Sequence, residues 1–381
     1  MNGMPAVREI LYVVNDADFF LSHRLPLART MADAGWQVHV ATPESPAVET
    51  IVQQGMRHHP IRMSRRGLNP LGEIAAFRSL LALYLRLSPD LVHHVTIKPV
   101  FYGGIAARLA RLPAVVNALT GLGYLYSHQS LKARLLRFVV GRGLRLALGH
   151  RNSRVIVQNP DDGEQLERAG IVARNRQVLI KGSGVDMQAF APRPEPDGKP
   201  LLILASRMLW SKGVGEFVEA ARLLNQRGTQ ARFVLAGASD SGNPAAIPQS
   251  QLESWHREGV VEWWGRCTDM PGVFAQANLV CLPSCYGEGV PKVLIEAAAC
   301  GRAIVTTDIP GCREIVRDGE NGLLVPPGES EALAEALLRL IADREVRLAM
   351  GRRGRAIAES EFSLEAVVAS TMQLYRELCT G

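Results

Sequence analysis

Short apolar runs alternate with longer amphipathic stretches along almost the whole chain, and the alternation restarts once. "ILYVVN" (10–15) reads as a buried strand, "HRLPLARTMADAG" (23–35) as a helix closed by Gly35, and "QVHVAT" (37–42) as a strand. "GEIAAFRSLLALYLRLS" (72–88) predicts a helix that stops before Pro89. "DLVHHV", "FYGGIAARLARL", "AVVNAL", "SRVIVQN" and "NRQVLIKG" continue the series. The segment "APRPEPDGKP" (191–200), with four prolines, breaks it and reads as a linker. Strands "LLILAS", "ARFVLAG", "VVEWWG", "LVCLPS", "AIVTTD" and "GLLVPP" then follow, with helices "VGEFVEAARLLNQRG" and "MPGVFAQA" among them. Such a series predicts parallel, doubly wound α/β sheets. The 381 residues exceed one ordinary core. Two domains are expected, 1–190 and 191–362, with a last helix at about 363–381 returning to the first. Ligands of open α/β sheets bind beyond the carboxyl ends of the strands, so two such domains across a cleft can hold two substrates.

Charge divides along the same line. Residues 1–190 carry 23 Lys/Arg against 13 Asp/Glu, a net +10, and the remainder carries a net −4. No acid occurs between Asp90 and Asp161, where ten Lys/Arg stand. An anionic partner for the first half follows, whether nucleic acid, a phospholipid surface or a diphosphate. The N-terminal stretch lacks the pattern of a signal peptide, and no window approaches a membrane span. Six scattered cysteines, none before Cys267, read as reduced thiols of a cytoplasmic protein.

Three common signatures are absent: the dinucleotide GxGxxG, the phosphate-binding GxxxxGK[ST], and a metal-binding DxD in a suitable loop. "PDDGE" (160–164) reads instead as the cap of a following helix. In "ASRMLWSKGVGEF" (205–217), Arg207 and Lys212 stand in the turn between a strand and a helix opened at Gly213. Two cations beside a helix N-terminus suit a diphosphate, although a solvated turn would look the same. In "CYGEGVPKVLIEAAACG" (285–301), Glu288 lies in a glycine-rich turn and Glu296 inside an apolar helix. A buried carboxylate needs a partner. With Pro291 in the first turn of the helix, Glu296 lies about one and a half turns in, roughly 8–9 Å beyond the glycine turn, and the span between the two acids matches one elongated ligand such as a nucleotide sugar. A structural ion pair for Glu296 and a solvated turn acid for Glu288 are the plain alternatives.

The Glu288-x7-Glu296 pair resembles the EX7E motif of retaining GT-B glycosyltransferases, most closely family 4. "SRMLWSKG" and the block "GEGVPKVLIEAAACGRAIVTTDIPGCREIVRDGENGLLVPPGE" are similar to that family's donor-binding segments. The resemblance implies a GT-B fold of two Rossmann-like domains and transfer of a sugar from a nucleotide donor, with UDP-N-acetylhexosamine the expected one. It implies that Glu288 contacts the transferred sugar and Glu296 the ribose hydroxyls. Backbone groups of Gly289, Val290, Pro291 and Lys292 would hold sugar and phosphate, Arg207 and Lys212 would neutralise the departing diphosphate, and Arg266 would lie by the base. No metal and no other cofactor is implied.

The first half resembles a bacterial subgroup that builds surface polysaccharides on undecaprenyl diphosphate, through "FFLSHRLPLARTMADAGWQVHVAT", "DLVHHVTIKPVFYGGIAARLA" and "TGLGY". A lipid-linked saccharide acceptor is thereby implied, with His23, Arg24, His93, Thr96, Lys98 and Thr120 as candidates for its site. Thr120 stands where many relatives carry a histidine. Strand alternation allows only one of His93 and His94 to face a cleft, and His93 is the expected one. Arg24 and Lys98 are candidates for an acceptor diphosphate. Residues 127–154 combine Leu, Phe and Val with eight Lys, Arg or His after Gln129 and no acid. They read as a basic amphipathic segment for an anionic membrane surface, or as a core helix with a basic outer face. A peripheral place on the inner face of the cell membrane is expected, and nucleic acid is not an expected partner.

Overall fold

A computed structural model describes residues 8–64, 69–121, 140–240 and 243–380. The chain forms two compact units, Met1–Ser183 with Glu365–Gly381, and Gly184–Leu364.

The first unit is built on strands β1 (Glu9–Val14), β2 (Gln37–Thr42), β3 (Arg57–Pro60), β4 (Leu91–Val95), β5 (Ala114–Ala118), β6 (Ser153–Val157) and β7 (Gln177–Leu179). They form one parallel sheet in the order β3-β2-β1-β4-β5-β6-β7. Side-chain alternation divides β1 between two cores. Ile10, Tyr12 and Val14 join the cluster closed by Leu374, Tyr375 and Leu378 of the helix Leu364–Thr380. Leu11 and Val13 join Leu80, Leu83 and Tyr84 of the helix Pro70–Leu87. Both faces of the sheet are covered, as a parallel sheet requires.

Local chemistry alters two expected elements. The helix expected over 23–35 is found as Leu25–Asp33, with Pro26 in its first turn, and a separate helix, Ala17–His23, capped by Asp16, stands before it. Proline lacks the N–H that a continuous helix would need there, so it starts a helix instead. "PDDGE" is not a cap: Asn159 caps the helix Pro160–Arg168, and Asp161 and Asp162 lie in its first turn. Acids there complement the helix dipole.

The second unit contains β8 (Leu201–Ala205), β9 (Arg232–Ala236), β10 (Glu262–Gly265), β11 (Leu279–Leu282), β12 (Ala303–Thr307) and β13 (Gly322–Val325), all parallel, in the order β10-β9-β8-β11-β12-β13. The chain leaves β8 in one direction and resumes at β11 on its other side. The carboxyl ends of β8 and β11 therefore flank a crevice where the winding reverses.

The proline-rich segment belongs to this unit, and the division falls at Ser183/Gly184 rather than at 190/191. Val185 N–H donates to Phe362 O and Leu364 N–H to Val185 O. Arg302, fully buried, donates to Arg193 O at 3.0 Å, and Arg355 donates to Phe190 O at 2.9 Å. Glu195 accepts from buried Arg347 at 2.8 Å. Proline-rich backbone, poor in its own N–H donors, is held here by arginine donors through its carbonyls.

Candidate active site

Two segments meet at the crevice of the second sheet. After β8 the chain passes Ser206 and Arg207, makes a 3-10 turn at Trp210–Lys212, and enters the helix Val214–Gln226 through Gly213. Gly213 has φ 71°, and a Cβ there would stand 1.9 Å from Pro283 O. Only glycine permits that approach, which brings the turn against the segment after β11. Cys285 N–H donates to Ser211 O at 3.0 Å and closes the contact.

Lys212 and Glu288 come together in this contact. Lys212 Nζ lies 2.5 Å from Glu288 Oε1, which also accepts from Ser284 Oγ at 2.9 Å. Ser284 is fixed in turn, because buried Thr307 Oγ1 donates to its carbonyl at 2.6 Å. The turn carrying Glu288 is braced from behind by Gly311, whose φ is 84° and whose Cβ would fall 1.4 Å from Gly289 O. Gly289, Val290 and Pro291 are buried, and Pro291 opens the helix Lys292–Ala299 with no side-chain cap.

Glu296 lies one turn into that helix, buried, with Lys292 Nζ 3.3 Å from its Oε1. Burial pushes its carboxyl above the usual range, and Lys292 opposes that shift. Arg207 is about half exposed and donates to Asp240 Oδ2 at 2.9 Å, beyond the carboxyl end of β9. Arg266 is exposed just after β10. The same sheet edge thus gathers Arg207, Lys212, Arg266, Glu288, Lys292 and Glu296. The sequence reading passed over Asp240, Ser284 and Gly311, which position these groups. The close glycine "IPG" before Cys312 was the available signal for one of them.

In the first unit the candidates divide between sheet edge and interior. Thr96, immediately after β4, adopts φ 75°, which is strained for a β-branched residue, and its buried Oγ1 has no hydrogen-bond partner among the described residues. Lys98 reaches Glu73 Oε1 at 2.6 Å and Ser64 O at 3.1 Å. Thr120, half exposed, follows β5. His23 ends its helix, stacked on Phe19 at 4.0 Å and hydrogen-bonded to Ser22 Oγ at 2.7 Å.

His93 and Arg24 lie in the interior of the unit. His93 is buried against Tyr12 and hydrogen-bonded to Tyr375 OH beneath the helix Leu364–Thr380. His94 is buried on the opposite face, with Nε2 2.8 Å from Tyr84 OH and Nδ1 2.8 Å from Asn117 Oδ1. Alternation separates the two rings as expected, but helices cover both faces, so neither side chain stands at the sheet's carboxyl edge. Burial, aided by the Arg24 charge, holds His93 well below the usual imidazole range. Arg24 is itself buried beside Tyr12 and Tyr375, donates to His23 O at 3.0 Å, and has its pKa lowered by burial.

Much of the basic segment 127–154 lies outside the described residues, as do residues 122–124 of "TGLGY". Among the described residues a helix covers 140–147, no cluster of His, Cys, Asp or Glu could hold a metal ion, and no helix is long and apolar enough to cross a membrane.

Comparison with known proteins agrees with this architecture. Residues 9–159 match the model of the "Glycosyl transferase 4-like" family, and residues 199–343 that of "Glycosyl transferases group 1". The chain is 29% identical over 354 residues to the N,N'-diacetylbacillosaminyl-diphospho-undecaprenol alpha-1,3-N-acetylgalactosaminyltransferase of Campylobacter jejuni, covering 87% of this chain and 91% of that protein. It is 27% identical over 374 residues to the phosphatidyl-myo-inositol mannosyltransferase of Mycobacterium leprae, covering 94% and 93%. Among solved structures, HepE of Anabaena in complex with UDP-glucose superposes with a TM-score of 0.77 at 23% identity, covering 98% of this chain and 100% of that one. A glycosyltransferase from Rickettsia africae gives 0.77 at 16% identity, covering 98% and 99%. Two doubly wound parallel sheets, a charged crevice at the winding reversal of the second, and both family matches lead to one identification: the chain is a glycosyltransferase of the GT-B fold.

Proposed function

We propose that the protein is a retaining glycosyltransferase that moves an N-acetylhexosamine from its UDP-activated form to a saccharide carried on a lipid diphosphate. The observation that carries this reading is the Lys212–Glu288 pair in the crevice between β8 and β11. A carboxylate already held by a lysine and a serine is pre-oriented to accept sugar hydroxyls. The lysine beside it is placed to take the negative charge of a departing diphosphate. Glu296, buried beside the Lys292 ammonium, suits two ribose hydroxyls as donors.

In the step itself, the bond from the sugar's anomeric carbon to the diphosphate oxygen breaks with its electron pair going to the diphosphate. Lys212, Arg207 and the uncapped first turn of Lys292–Ala299 stabilise that charge. An acceptor hydroxyl forms its bond to the same face of the anomeric carbon and yields its proton to the leaving diphosphate. No protein nucleophile and no metal enters this scheme.

The lipid-linked acceptor is supported by the names of the Campylobacter and Mycobacterium relatives, both of which describe lipid-bound substrates. On this reading Thr96, Lys98 and Thr120, at the carboxyl edge of the first sheet, face the acceptor, and the enzyme works from the inner surface of the cell membrane.

The test is a donor panel. UDP-, GDP- and ADP-sugars are incubated with a lipid-diphosphate-linked monosaccharide, products are weighed by mass spectrometry, and the new anomeric centre is read by NMR. The expected product gains one N-acetylhexosamine from the UDP donor with retained configuration. Inversion, transfer only to soluble sugars, or conversion of the UDP-sugar without any acceptor would each overturn the reading.

A further inference from the structure

The helix Pro70–Leu87 carries large apolar side chains on both its inner and its outer side. Its inner face, with Ala76, Leu80, Leu83 and Tyr84, is buried on the first sheet. Its outer face carries Leu71 at 77% exposure, Ile74 at 55% and Leu85 at 62%, with exposed Ala82 between. With Arg78 between Ile74 and Ala82, these positions follow one another at three- and four-residue steps and so lie in one stripe, about 21 Å long, apolar towards both ends and cationic at its middle. Large apolar side chains gathered on one exposed stripe beside cations mark an interaction surface rather than a merely solvated face.

Charge narrows what covers it. Arg78 and Arg86 are the helix's cations, both exposed, and Arg62 is exposed just before it. Glu73 is its only acid, and Lys98 Nζ holds that carboxylate at 2.6 Å. A second copy of the chain would bring like-charged arginines to the same stripe, whereas an anionic bilayer meets both the leucines and the arginines. Location agrees. The Lys98–Glu73 pair moors the first turn of the helix beside the carboxyl end of β4, where Thr96 and Lys98 stand.

We infer that the outer face of Pro70–Leu87 seats the enzyme on an anionic phospholipid surface, with Leu71, Ile74 and Leu85 entering the interface and Arg78 and Arg86 lying among the headgroups. This deepens the lipid-linked reading and rests on it for its purpose, although the surface can be tested alone.

The experiment is flotation of the full chain with vesicles of phosphatidylcholine, with and without phosphatidylglycerol. The parent is expected to float with the anionic vesicles and to be released by salt. L71Q/I74Q/L85Q, which changes only exposed positions, should lose binding by about tenfold or more while keeping its circular dichroism and melting temperature. R78Q/R86Q should lose the preference for phosphatidylglycerol. Parent-like binding by the triple variant, or no vesicle binding by the parent, overturns the inference. A parent dimer in sedimentation that the triple variant abolishes, without vesicle binding, would assign the face to a second copy and also overturn it. Transfer to a water-soluble, short-chain diphosphate-linked acceptor separates the two ideas. Parent activity there with no vesicle binding removes only the docking surface, and vesicle binding that needs the stripe with no transfer to any lipid-linked acceptor removes only the substrate reading.

Discussion

Lys212 Nζ stands 2.5 Å from Glu288 Oε1 and joins the turn after β8 to the turn after β11. The two residues are 76 positions apart in the chain. Both are mostly but not wholly buried, so the pair is screened less than a surface ion pair while remaining open to a ligand.

The first prediction concerns this pair. Glu288→Gln should abolish transfer while the fold survives, since glutamine can still accept from Ser284 and Lys212. Lys212→Ala should lower kcat by roughly 10²–10³ through weaker stabilisation of the leaving diphosphate. Arg207→Ala should cost less, because its guanidinium is more exposed and already paired with Asp240. Steady-state kinetics of the three variants check the order, and an active Glu288→Gln enzyme would remove the sugar-contact role.

Glu296 should trade stability for binding. Its folded pKa is raised by burial, so at neutral pH the folded chain carries a desolvated carboxylate that the unfolded chain ionises freely. The unfolded state then binds fewer protons, and stability falls as pH rises through and above the carboxylate range. Glu296→Gln should melt roughly 2 °C higher than the parent at pH 8, and the difference should vanish near pH 4. The same variant should bind the donor nucleotide roughly ten- to a hundredfold more weakly, for loss of a charged acceptor. Calorimetric melting and titration with UDP measure both.

Gly311→Ala should damage the site from behind. A Cβ at that position meets Gly289 O at 1.4 Å and must also adopt φ 84°. The Glu288 turn has to move, and transfer should fall by roughly a hundredfold or more. Gly170→Ala has a comparable φ of 63° but nothing within 4 Å. It should lose about 1–2 kcal/mol of stability from the left-handed backbone and keep its activity. Equal effects of the two changes would show that contact with Gly289 is unimportant.

His94 should make the chain acid-sensitive. Burial lowers its pKa from 6.5 to about 4, only partly offset by the bond to Asn117. The unfolded state takes up this proton as pH falls below 6.5 and the folded state does so only near 4. Stability is therefore complete above 6.5 and lost between those values, by about 3 kcal/mol. Denaturant titrations from pH 7 to 4 should show this decline, and His94→Gln, although less stable at pH 7, should show a shallower one.

Much of the molecule was legible from pattern. Apolar runs of strand length bounded by amphipathic stretches announce two parallel sheets, because a strand covered on both faces must be apolar on both. The charged edge of the second sheet was legible for the same local reason: Lys212, Gly213, Glu288 and Pro291 sit at strand-to-helix turns, and such turns have composition rules. The pairing partner of Glu288 was not. Lys212 and Arg207 are equally cationic in sequence, and only the turn geometry through Gly213 gives Glu288 the lysine and leaves Arg207 to Asp240.

The first sheet shows the limit most directly. Alternation along β4 assigns His93 and His94 to opposite faces, and the structure keeps that assignment. What a strand cannot announce is which helix lies over each face. Leu364–Thr380, more than 250 residues later, brings Tyr375 onto His93, and Pro70–Leu87 brings Tyr84 onto His94. Local pattern thus determined the elements, the sheets and the chemical inventory of the second sheet's charged edge. The tertiary structure alone decided which polar groups face solvent and which are enclosed, because enclosure depends on elements distant in the chain, whose packing no local spacing encodes.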